Sequence, residues 1–153
     1  MLDKPQIVQT EARLTAVIRL TISRSEIQSV MGPAINEVLA AIAAQGAAPA
    51  GPIFSYHFRR PTDTFDFEVG VPVTTRIVAT GRVYQSQLPA VKTARTMYRG
   101  PYEGLGSAWG EFMEWIDTKG HKQAQDLWEC YISGPESSPH PATWLTQLNR
   151  PLI

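Results

Sequence analysis

The sequence predicts an α+β domain made of two fused strand–helix–strand–strand repeats. Together they form an antiparallel sheet with two helices packed on it, related by a pseudo-twofold with a central cleft. Three observations lead to this class. Two stretches carry apolar residues at helical spacing and stop at a glycine. Runs rich in β-branched and aromatic residues lie before and after each of them. A shift of 74 positions lays one half of the chain on the other, pairing Gly32 with Gly106, Ile35 with Trp109, Val38 with Phe112, Leu39 with Met113, Ile42 with Ile116, Gly46 with Gly120 and Pro61 with Pro135. These are helix-core and helix-stop positions, so the match is one of structural roles. A single unit of this kind has too little sheet to cover its helix, and two of them joined make a sufficient core.

Taken in order, Gln6–Ile22 reads as extended, either one long strand or a bent pair. Ser23–Val30 is turn-like, with Ser25 or Ser29 as possible helix caps. A helix follows from about Gly32 to Gln45, with Pro33 in its first turn and Gly46 as its stop. Ile53–Phe58 and Phe65–Val73 read as antiparallel neighbours, with Phe65, Phe67, Val69 and Val71 on one face. Val83–Leu88 is a weaker strand, and extended structure resumes over Val91–Tyr98. A second helix spans roughly Glu103–Lys119, with Leu105, Trp109, Phe112, Met113 and Ile116 on one stripe and Gly120 as its stop. Leu127–Pro135 is a strand, and Trp144–Leu148 closes the sheet before Pro151. The chain thus reads as one domain over residues 1–153, with half-repeats of approximately 6–80 and 81–153.

Composition narrows the function. Fourteen basic and fourteen acidic residues leave no net charge, and no basic cluster suggests a phosphate footprint, so no direct nucleic-acid partner is expected. The single cysteine, Cys130, excludes an internal disulfide and reads as a buried, inert thiol. The three histidines, His57, His121 and His140, lack ligand spacing, and neither a metal nor a cofactor is expected. No signal peptide is evident and no apolar run approaches a membrane span, so the expected location is cytoplasmic.

The stretch Leu127–Pro135 carries the chemistry. Alternation puts Leu127, Glu129, Tyr131 and Ser133 on one face and Trp128, Cys130 and Ile132 on the other. A carboxylate in so apolar a strand is costly to bury unless it is paired, hydrogen-bonded or protonated. With one inserted residue, Phe54 and Tyr56 correspond to Glu129 and Tyr131, and this predicts that they project from the same faces.

Tyr98-Arg99-Gly100-Pro101-Tyr102, the helix residues Trp109 and Trp115, then Gly120, Glu129-Cys130-Tyr131 and Pro135 resemble the GyrI-like small-molecule-binding domain. That domain also serves as the effector module of AraC-type and MerR-type multidrug regulators. The resemblance spans nearly the whole chain. It implies an apolar cleft between two fused units, with a glutamate selecting cationic, aromatic ligands, and Glu129 matches that glutamate. Regulators of this kind carry a helix-turn-helix module at one end; these residues are not expected to include one, so transcriptional control is not the first expectation. Some stand-alone relatives resemble hydrolases that open cyclopropane-bearing genotoxins with a glutamate and a tyrosine, and others are described as gyrase-inhibitor-like, acting on a protein partner.

Two readings of the cleft follow, beside a third in which the protein is gyrase-inhibitor-like and acts on a protein partner through an exposed surface. In the first, the protein binds a small aromatic or cationic compound through Glu129, Tyr131, Tyr56, Phe54, Trp109 and Tyr102. Trp109 reads as core as well as wall, and the tyrosines as packing as well as contact. In the second, Glu129 is a general base on water, with Tyr98 supplying a proton or a hydrogen bond to it.

Overall fold

The computed structural model describes residues 2–153. It contains eight strands, all paired antiparallel, and two α-helices, an α+β fold as the sequence predicts. In chain order these are β1 (Gln6–Gln9), β2 (Arg13–Ser23), α1 (Ile27–Ala44), β3 (Phe54–His57), β4 (Thr64–Pro72), β5 (Tyr84–Leu88), β6 (Lys92–Arg99), α2 (Leu105–Thr118), β7 (Leu127–Ser133) and β8 (Leu145–Pro151).

The chain folds as two compact units. The inner unit, in chain order, is Glu11–Ala90; the outer unit comprises the residues up to Thr10 together with Val91–Ile153. Inner-unit strands pair β5 with β2, β2 with β4 and β4 with β3. Outer-unit strands pair β1 with β6, β6 with β8 and β8 with β7. The two orders are the same in structural role. Each unit takes its leading short strand from the other half of the sequence, which the expected boundary near residue 80 does not anticipate.

In the inner unit, α1 buries Ala34, Val38, Ala41 and Ile42, a stripe of helical period, against Ala16, Ile18 and Leu20 of β2 and Phe67, Val69 and Val71 of β4. Apolar burial of this kind contributes about 1.5–3 kcal/mol per large side chain. The helix begins five residues earlier than expected. Ser23, rather than Ser25 or Ser29, marks its entry: Glu26 reaches back to accept from the Ser23 backbone N–H at 3.1 Å and hydroxyl at 2.8 Å. A short 3₁₀ turn over Arg24–Glu26 then leads into α1 and places Pro33 inside the helix. Residues Arg24–Ala44 reach a mean hydropathy of 1.3, which is long and apolar enough to cross a membrane by length and composition. That corrects the expectation of no such run, although the buried stripe makes α1 the core helix of its unit.

In the outer unit, α2 buries Ala108, Trp109, Phe112, Met113 and Ile116 against Ala94 and Tyr98 of β6, Leu127 of β7 and Leu148 of β8. Both helices end in the same hydrogen-bonded cap. Gly46 N–H donates to Ala43 O (3.0 Å) and Ala47 N–H to Ile42 O (2.9 Å); Gly120 N–H donates to Asp117 O (3.0 Å) and His121 N–H to Ile116 O (3.2 Å). The two glycines have φ of 74° and 78°, as such a cap requires.

The strands disagree with one part of the repeat. In the inner unit His57 stacks on Phe67, and Ile53 packs on the core under α1, so Ile53, Ser55 and His57 face the helix. Phe54 and Tyr56 therefore face away from it. In the outer unit Leu127 packs under α2 and Glu129 meets Trp109 of that helix, so Glu129 and Tyr131 face the helix. The structural equivalents of Glu129 and Tyr131 are Ser55 and His57, at the same 74-residue offset as the helices. No inserted residue separates the two strands, and because side chains alternate, the one-residue difference exchanges the faces.

Candidate functional site

Glu129 sits in the middle of β7, paired through the ladder with Leu148 of β8. Its position is dictated by alternation: Leu127, two residues earlier, enters the core, so Glu129 is carried inward beside it. The carboxylate does not lie bare there. Trp109 Nε1–H donates to Oε2 at 2.6 Å, and the Tyr131 hydroxyl donates to Oε1 at 2.8 Å. One donor comes from the helix and the other from the same strand, so each oxygen is held by a different element.

Burial pushes the Glu129 carboxyl above the usual carboxylate range, and the bonds from Trp109 and Tyr131 pull the other way. Desolvation is the largest of the three influences, so two good hydrogen bonds do not restore the stability the anion has in water.

Aromatic rings surround it. Tyr102, in the 3₁₀ turn that opens α2, lies edge-on to Tyr131 with centroids 6.0 Å apart, and it lies 4.9 Å from the ring of Trp144. Trp144 is tied down by its own indole N–H, which donates to Ser138 O at 2.9 Å. Burial raises the Tyr102 hydroxyl pKa, with the charges of Glu136 and Glu129 adding to it, so the ring stands within the field of the carboxylate. Thr146, opposite Tyr131 in the ladder, is fully buried, and its hydroxyl lacks a partner among the described residues.

Of the predicted residues, the structure brings together Glu129, Tyr131, Trp109 and Tyr102. Trp109 is both core and wall, packing on Phe112 at 5.7 Å while donating to Glu129. Tyr98 is different: its hydroxyl donates to the Pro101 carbonyl at 2.8 Å, and the ring is buried in the core under α2. It locks the Gly-Pro turn, and the hydroxyl on Glu129 is that of Tyr131. Phe54 and Tyr56 belong to the inner unit. Phe54 is buried opposite Gly70, and Tyr56 stands edge-on to Phe58 with centroids 5.5 Å apart.

Sequence reasoning missed two features. Trp144, by sequence the start of the closing strand, stands against Tyr102 in the structure. Glu68 of β4 is a buried carboxylate, accepting from the Tyr84 hydroxyl at 2.5 Å and from Ser86 Oγ at 3.0 Å. It reaches across β2 to hold β5, and burial together with Glu68 raises the Tyr84 hydroxyl pKa well out of the titrating range. Its signal was present: a lone carboxylate between Phe67 and Val69 is the pattern that singled out Glu129. No group of histidine, cysteine or acidic side chains fit to hold a metal occurs among the described residues.

A search of curated proteins by sequence finds no match. Solved structures do match. The EcmrR C-terminal domain superimposes with a TM-score of 0.86 at 19% identity, over 98% of this chain and 97% of that one. EcmrR in a DNA complex matches with a TM-score of 0.85 at 21% identity, and there the chain spans 97% of itself but only 57% of EcmrR. SAV2435 bound to tetraphenylphosphonium matches at 0.71 and 13% identity, over 99% of this chain and 94% of that one. At these identities the likeness is one of fold. The family description of the GyrI-like small molecule binding domain fits residues 3–152, and the chain belongs to that family.

Proposed function

We propose that the protein binds amphipathic aromatic cations at the Glu129 cluster of the outer unit, sensing or sequestering them in the cytoplasm. The observation that carries this reading is the carboxylate held by Trp109 and Tyr131 beside the rings of Tyr102 and Trp144. A desolvated anion gains most from a partner that brings a charge and little hydration of its own. A lipophilic cation fits that description better than a hydrated ammonium ion. Aromatic faces add stacking and cation–π attraction, about 0.5–2 kcal/mol each. The structural likeness to a tetraphenylphosphonium-bound protein supports the same ligand class.

The test is a titration of wild type and Glu129→Gln with tetraphenylphosphonium and a panel of cationic dyes. Glutamine keeps the shape, accepts from Trp109 and can donate to the Tyr131 oxygen, so the fold is retained. Affinity for cations should fall by about 1–3 kcal/mol, while neutral aromatic compounds of similar size bind unchanged. Equal loss for cations and neutral compounds would show that Glu129 shapes the site without acting as the counter-charge.

The basicity of Glu129 supports a second reading as a hydrolase opening strained, cyclopropane-bearing electrophiles. Raised by burial, the carboxylate would take a proton from water as the water attacks a ring carbon; the strained C–C bond breaks, its electron pair passes to the conjugated acceptor of the electrophile, and the Tyr131 hydroxyl, which replaces Tyr98 as the one in reach, donates the proton there and regains one from Glu129. Incubation with such an electrophile decides between the two. Ring-opened product that disappears in Glu129→Gln establishes the hydrolase, and saturable binding without product establishes the binding module.

A further inference from the structure

We propose that a groove beside the β1 edge of the outer unit binds a small oxyanion, a carboxylate or phosphate group, on the guanidinium of Arg95. The groove has a volume of about 170 Å³ and is lined by Asp3, Lys4, Gln6, Arg95, Thr96, Met97 and Gln147. At ~30 Å³ per water it has room for roughly five waters, enough for a phosphate or a short carboxylate.

Arg95 lies in the middle of β6, opposite Gln6 of β1 and Asn149 of β8. Its Nε–H donates to Asn149 Oδ1 at 2.7 Å. Asn149 is fully buried and is itself fixed, since its Nδ2 donates to the Trp128 carbonyl at 3.4 Å and to Gln147 Oε1 at 3.2 Å. A buried amide therefore orients the guanidinium plane, as a preorganised anion site requires. The remaining guanidinium N–H groups have no acceptor among the described residues, and neither Arg95 nor Lys4 forms an ion pair there. Gln147 uses its oxygen on Asn149, which leaves its amide N–H groups to donate.

The lining is rich in donors and poor in free acceptors. Thr96 Oγ1 already donates to the Asp3 carbonyl, and the Asp3 N–H to Met97 O. Asp3 is the one carboxylate present, against two cations. Burial lowers the pKa of the half-buried Arg95 below the ordinary guanidinium value, with Cys130 pulling the other way. A planar or tetrahedral oxyanion accepting two parallel N–H bonds would supply the missing partner. The site is separate from Glu129: the side chains of Arg95 and Asn149 project from the sheet face opposite the one bearing Glu129, Leu148 and Thr96.

The full chain is titrated with sodium phosphate and, separately, sodium acetate at constant ionic strength, following the amide resonances of Gln6, Arg95 and Gln147 and the Arg95 Nε–H. Saturable shifts at these positions are expected with one of the two anions, and which one responds assigns the class. Arg95→Gln should weaken that binding about tenfold or more. Gln147→Glu is nearly isosteric and sets a carboxylate against the fork, so it should abolish binding while unfolding remains cooperative. Both variants should bind tetraphenylphosphonium as wild type does, because neither touches the Glu129 cluster. Absence of saturable shifts with both anions, or binding that survives Arg95→Gln, overturns the proposal.

Discussion

Glu129, half-buried, and His57, buried, are both titratable side chains, and desolvation moves them in opposite directions. The Glu129 carboxyl is raised, so the folded state holds its proton more tightly than the unfolded chain does. Its contribution to stability is full below the unfolded value of about 4.3 and is lost as pH rises through the folded value. Glu129→Gln should therefore be at least as stable as wild type at neutral pH, with the difference closing in acid, as denaturant titrations at several pH values would show. His57 is lowered from 6.5 to about 4 by burial against Phe67 and Phe65. Its contribution is full above 6.5 and is lost as pH falls toward 4, a decline of roughly 3 kcal/mol that His57→Leu should remove. Measuring both variants separates the two slopes. Glu129 was legible in the sequence because a single carboxylate interrupts an aromatic run, whereas Trp144 was not, because its partner Tyr102 is distant in sequence and only the fold brings the rings together.

Helices were easier to read than strands, for a geometric reason. A helix stripe tolerates an error of one residue at its ends, so α2 was placed nearly to the residue and α1 lost only its first turns. A strand does not, since one residue exchanges its two faces, and this is why Phe54 and Tyr56 were assigned to the side that bears Ser55 and His57. The shared helix caps give the repeat a direct test. Neither Gly46 nor Gly120 has anything within 4 Å of where a Cβ would stand, so alanine there incurs only the left-handed backbone penalty. Gly46→Ala and Gly120→Ala should each cost about 1 kcal/mol in equilibrium unfolding, by nearly equal amounts. Markedly unequal values would mean that the two caps are alike in geometry but not in energy.

At the scale of the whole molecule, the chain passes from the outer unit to the inner one after Thr10 and returns before Val91. The two points of passage are clasped together. Thr10 N–H and Oγ1–H both donate to Val91 O, at 3.1 and 3.0 Å, and Val91 N–H donates to Thr10 Oγ1 at 3.0 Å. Thr10→Val leaves the Val91 N–H without that acceptor and should cost about 1–2 kcal/mol. Hydrogen exchange should quicken at the β1–β6 pairing and remain unchanged in β2 and β4. The expected split near residue 80 followed the linear order of the repeats. Sequence periodicity carries no information on which half a short leading strand joins, because β1 and β5 are each compatible with either long strand.

That passage has a consequence for how the protein is made. Residues 11–90 emerge from the ribosome as a contiguous block containing every strand that the inner unit pairs, so this unit can fold as it is synthesised. β1 is made before this block and its partner β6 after it. Its Gln9 pairs with Lys92, and at 5–20 residues per second the nascent chain carries β1 without a partner for about 4–17 s. Only Ile7 and Val8 in that strand are apolar, and glutamines flank them on both sides. So short and polar a segment offers little for a neighbouring chain on a polysome to add to during the wait.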